Sequence, residues 1–129
     1  MIEITQTALD SVKAPPLVPG DRPIDLVHLS RMTLGDRALE RDVLELFERQ
    51  VGLLMERIEK APAAVAAAAA HTLKGSALGI GAFAMARAAA AVEAAAKAGD
   101  VEGCRAGVDN LRAAVGEART EIAGLLSFA

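Results

Sequence analysis

The sequence predicts an all-α protein, an antiparallel up-and-down four-helix bundle with a short additional N-terminal helix. Three observations point there. No segment alternates β-branched and polar residues in the way of a half-buried strand. Proline is absent between Pro23 and Pro62 and again after Pro62, which leaves two long stretches open to helix. Finally, Val101, Cys104, Val108, Leu111, Val115, Ala118, Ile122 and Leu125 recur in alternating steps of three and four. That spacing is the seam by which a helix joins a bundle.

The elements follow in order. Residues 1–20 run into APPLVPGDRP, where Pro15, Pro16, Pro19, Gly20 and Pro23 oppose regular structure. Residues 1–20 therefore read as a tail or arm, and 21–129 as the domain. A short helix is expected from about Ile24 to Gly35, with His28 on its surface. Asp36 is a fitting N-cap for a second helix, whose apolar residues Leu39, Val43, Phe47, Leu54 and Ile58 recur at near-helical spacing. Pro62 suits the first turn of a third helix, and Gly79 and Gly81 are expected to break or bend the chain after it. A fourth helix is expected from Phe83 to Ala98, closed by Gly99 before Asp100 caps the last. The alanines of Ala63–Ala70 and Ala84–Ala96 have the highest helix propensity and let neighbouring axes come close.

Composition excludes several function classes. The chain has 129 residues, enough for one domain with a modest core. Seventeen acidic residues face fourteen scattered basic ones, which is not an electrostatic nucleic-acid surface. Three Phe and no Trp or Tyr leave no base-stacking platform or aromatic cage. Cys104 is the single cysteine, which rules out an internal disulfide and a CxxC metal site and fits a reducing compartment. Met1–Asp10 has acidic residues and no apolar centre, so no signal peptide is expected. The apolar run Ala61–Ala70 is about half of what a bilayer span needs. The expectation is a cytoplasmic monomer without nucleic-acid, membrane or metal partners.

The stretch AAAAAHTLKGSALGIGA places one histidine in an apolar helix. Ala67, Ala68, His71, Lys74, Gly75 and Leu78 lie three or four residues apart on one stripe, while Val65, Ala69, Leu73, Ala77 and Ile80 fall on an apolar side. His71 is thus free to face outward. Lys74 is badly placed beside an imidazolium and well placed beside an imidazole that gains negative charge. Gly75 costs about 1 kcal/mol relative to Ala in a helix. In a chain so rich in alanine, that glycine implies close approach to the backbone. Imidazole nitrogen is a nucleophile able to carry a phosphoryl group, and the small surface of Ala67, Ala68 and Gly75 would admit a second protein. Folding the third and fourth helices about Gly79–Gly81 brings Ala90–Glu93 level with His71. Glu93 is the polar candidate there. Its carboxylate, accepting from Nδ1–H, would leave Nε2 as the nucleophile. Leu78 and Lys97, the latter one turn beyond Glu93, are candidates for the partner-binding surface.

AHTLKGSALGIGA resembles the signature of histidine-containing phosphotransfer (HPt) domains, His-x-Leu-Lys-Gly-Ser/Ala followed by a glycine-containing turn. PIDLVHLSRMTLGDRALERDVLELF resembles the family's first two helices and AVEAAAKAGD its fourth helix and turn, so the likeness spans roughly Asp21–Leu126. It implies a phosphorelay carrier rather than an enzyme. His71 would accept a phosphoryl group at Nε2, Lys74 would steady its oxygens, and Gly75 would admit the partner's loop. The implied partners are response-regulator receiver domains and a hybrid sensor histidine kinase. The implied chain binds no cofactor itself; Mg²⁺ would sit in the receiver's acidic pocket. The alanine-rich surround departs from the family pattern by offering few polar groups to the phosphate.

Three other readings compete. A sensor-kinase phosphoacceptor hairpin places an acidic residue after its histidine, where this chain has Thr72. A di-iron bundle needs repeated Glu-x-x-His, which neither His71 nor His28 provides. A purely structural interaction module remains compatible with the residues. Ser76 and Cys104 read as packing residues.

Overall fold

The computed structural model describes residues 22–127, and the proposed tail at 1–20 lies outside them. Five helices follow in the expected order: α1 (Leu26–Met32), α2 (Arg37–Lys60), α3 (Ala63–Ile80), α4 (Phe83–Ala98) and α5 (Val101–Ser127). The described residues contain no strand. Two-residue links, Ala61-Pro62, Gly81-Ala82 and Gly99-Asp100, make α2 to α5 antiparallel neighbours in sequence, and α5 returns to α2 to close a four-helix bundle. The short α1 lies against α3.

Local chemistry accounts for the boundaries. Asp25 Oδ1 accepts from the backbone N–H groups of Val27 and His28 and starts α1. Asp36 does the same for α2 through Leu39 N–H at 3.0 Å. At the end of α3, Gly81 adopts φ +86°, a left-handed conformation that closes a helix and suits glycine. A Cβ there would also meet Asp25 O at 3.0 Å, and Asp25 N–H donates to Gly81 O at 2.9 Å. The α3–α4 turn is therefore closed around the entrance to α1.

Gly79 does not break the chain as expected. It lies inside α3, which continues to Ile80, and only Gly81 turns. The Gly79 carbonyl instead accepts from His28 Nε2–H at 3.1 Å, and the His28 ring meets Phe83 edge-on with centroids 5.3 Å apart. His28 is accordingly half-buried in the α1–α3–α4 corner, not a surface residue.

The core runs along the bundle axis through Val51, Leu73, Met85, Val92, Leu111 and Ile122, all under 2 % exposed. Ala70, Ala77 and Ala89 are fully buried beside them, and Gly107 on α5 lets Val92 of α4 come close. Leu39, Val65 and Val101, expected on core stripes, are exposed. Leu39 lies off the stripe of α2 that is buried, Leu44, Phe47, Val51, Leu54 and Ile58. Val65 and Val101 stand within the first three residues of their helices, where the adjoining chain is a connecting loop. No described helix is long and apolar enough to cross a membrane.

Candidate functional site

His71 stands near the middle of α3 with its side chain 65 % exposed. Its neighbour Leu73 is completely buried and holds that helix in the bundle. The outward presentation of the ring follows from helical geometry, since residues two apart point about 200° from each other.

Glu93 on α4 comes level with the ring across the hairpin. It is 8 % exposed, and among the described residues only it and Thr33 are buried polar residues. Its Oε2 lies 3.0 Å from His71 Nδ1. A carboxylate can only accept, so Nδ1 carries the hydrogen and Nε2 keeps its lone pair toward solvent. Lys97, one turn along α4, places Nζ 2.9 Å from the same Oε2, and Lys74 of α3 lies 3.5 Å from Oε1. These donors, Lys97 first and then His71, hold the Glu93 carboxyl at about 2 against the opposing effect of burial. The group is an anion that orients the ring without competing for its proton.

Gly75 is exposed, and a Cβ built there meets nothing within 4 Å. No contact among the described residues requires a glycine at that position. Ala68 is exposed beside it, but Ala67, expected on the open stripe, is only 5 % exposed. The reason is angular. At 100° per residue Ala67 falls on the α4 side of His71, where Lys74 also lies, whereas Ala68, Thr72 and Gly75 fall on the α2 side. The open flank therefore faces α2. There, a shallow groove lined by Gln50, Leu53, Val65, Ala68 and Thr72 runs beside the histidine. On the other flank, Leu78 is 45 % exposed and shares a hollow with Lys74, Phe83 and Arg87.

Sequence reasoning missed the α2 side of this surface. Leu46 and Leu53 are 59 % and 61 % exposed, and with Leu39 they repeat every seven residues along α2. A heptad row offset from the core stripe is a signal for a second apolar face. Among the described residues, no three His, Cys, Asp or Glu side chains group as a metal site would need.

A family model described as the Hpt domain matches residues 42–121, a span that contains α3 and α4 whole. No curated protein and no solved structure matches the chain.

Proposed function

The chain belongs to the Hpt domain family, and from that premise we propose that it carries a phosphoryl group on His71 Nε2 between receiver domains of a multistep phosphorelay. The single observation that carries the assignment of the residue is the 3.0 Å contact between His71 Nδ1 and Glu93 Oε2 on an otherwise exposed ring.

In the forward step the Nε2 lone pair attacks the phosphorus of an aspartyl phosphate. The N–P bond forms as the acyl P–O bond breaks, and the aspartate leaves as a carboxylate. The ring becomes an Nδ1–H imidazolium, whose positive charge faces the Glu93 carboxylate. Lys74 is only half-exposed and loosely engaged at 3.5 Å, and it turns its Nζ toward the phosphoryl oxygens. In the return step a second receiver's aspartate attacks, the N–P bond breaks, and the ring recovers its neutral form without a proton having moved. The receiver or kinase supplies the remaining catalytic groups, including Mg²⁺, and this chain supplies the nucleophile and its orientation. Ala68, Gly75 and the apolar groove toward α2 form the approach surface, with Leu78 and Lys97 at its other edge.

The test is transfer from a radiolabelled, phosphorylated receiver domain. The native chain should gain acid-labile, base-stable label. His71→Gln should gain none, and His28→Gln, which removes the chain's other histidine but leaves the His71 nucleophile, should still gain label, at a lower rate. Label persisting in His71→Gln overturns the assignment.

A further inference from the structure

Lys97 has two conceivable roles beyond reaching a partner. It sits in the last turn of α4, where a cation complements the helix dipole. It also shares one oxygen with the candidate nucleophile. Oε2 of Glu93 receives Lys97 Nζ at 2.9 Å and His71 Nδ1 at 3.0 Å, while among the described residues Oε1 has only the longer 3.5 Å approach of Lys74. The two lysines differ in exposure as well, with side chains 67 % and 33 % exposed for Lys97 and Lys74. The carboxylate between them is almost buried, so its position is set by whatever holds its oxygens.

We propose that Lys97 is a positioning residue for phosphoryl transfer, acting through Glu93. By sharing Oε2 with the ring, it pins the carboxylate where His71 Nδ1 must be the protonated nitrogen, and it leaves Lys74 loosely held for the phosphoryl oxygens. Glu93 and Lys97 are four apart with the acid N-terminal, the favourable order for such a pair on one helix. Without Lys97, the charged donor left to Glu93 among the described residues is Lys74. That lysine then closes onto the carboxylate and is withdrawn from the phosphate. The ring meanwhile loses the fixed acceptor that selects its tautomer. The second half of this inference rests on His71 being the phosphoryl acceptor; the first half, the choice of tautomer, does not.

The experiment therefore has two readouts on the full chain: the His71 tautomer, from ring-nitrogen NMR of the free protein, and the rate of transfer from a phosphorylated receiver domain. Lys97→Met should raise the Nε2–H tautomer and slow transfer about fivefold, within the coupling range of residues in contact. Lys97→Arg should restore both. In a Glu93→Gln background, Lys97→Met should change neither readout further. A purely structural lysine would lower the melting temperature and leave the tautomer as it was, which overturns the proposal. Equal slowing by Lys97→Met with or without the Glu93 carboxylate also overturns it, because the lysine would then touch phosphate or receiver directly. If the native chain takes no label at all, the phosphorelay assignment fails while the tautomer readout still decides the link from Lys97 to His71.

Discussion

A methyl group at Gly107 would stand 3.1 Å from Val92 Cγ2, so α5 comes close to α4 beside the residue that precedes Glu93. This contact sets the depth at which α4 sits in the bundle. Gly107→Val should cost about 2 kcal/mol through overpacking, read as a lower denaturation midpoint. It should also weaken the hold of Glu93 on His71, giving a mixed ring tautomer in nitrogen NMR. A destabilised protein with an unchanged tautomer would show that the depth of α4 and the orientation of the ring are independent.

Gly75 separates stability from transfer. Its Cβ position is open, so Gly75→Ala should stabilise the fold by about 0.5–1 kcal/mol through helix propensity alone. Gly75→Gln should leave the helical signal intact and slow transfer from a phosphorylated receiver at least several-fold. Undiminished transfer in Gly75→Gln would remove the steric account of this glycine.

The Glu93 carboxyl predicts a window of acid sensitivity. Its value falls from 4.5 to about 2 in the folded chain, through Lys97 and His71. A group held lower when folded adds stability above its unfolded value and surrenders it as pH falls through the folded one. Native stability should therefore drop between pH 4.5 and about 2. Glu93→Gln has no carboxyl to protonate, so urea denaturation at stepped pH should give a shallower slope for it across that window. Equal slopes would mean that the donors around Glu93 contribute nothing to the folded state.

Much of this arrangement was legible in the residues, and the unread part has a specific cause. The α5 stripe could be read because Leu111, Val115 and Ile122 are large and occur at bundle spacing. Glu93 could be placed by counting outward from the turn, since an antiparallel hairpin with a short link keeps equidistant residues level. The sides of α3 could not be assigned from its alanines. Ala67 is buried and Ala68 exposed, yet alanine suits either environment. Gly79 and Gly81 look alike in sequence, and only the second has a left-handed backbone, because it is the one at which α3 closes, with Asp25 packed where its Cβ would stand.

Leu34 carries the one positive φ outside glycine among the described residues, at +55°, and its side chain is 91 % exposed. The side chain has little packing to lose, while the backbone conformation disfavours a branched residue. Leu34→Asn should raise stability by about 0.5 kcal/mol, because asparagine tolerates that conformation. Thermal unfolding of the two chains side by side measures it, and a lower midpoint for Leu34→Asn would show that Leu34 makes a stabilising contact.

The corner where Asp25 and His28 meet Gly81 and Gly79 has a consequence for the distant ring. Each residue of an α-helix advances 1.5 Å and turns 100°, so a slip of one position between α3 and α4 would swing Glu93 away from His71. The joint that prevents such a slip is the turn at Gly81, and α1 clasps that turn from outside with two hydrogen bonds, Asp25 N–H to Gly81 O and His28 Nε2–H to Gly79 O. The shortest of the described helices, with no hydrogen bond to His71 or Glu93 among the described residues, thus acts as their alignment gauge. A change confined to α1 would be read two helical turns away, as a nitrogen that no longer knows where its proton belongs.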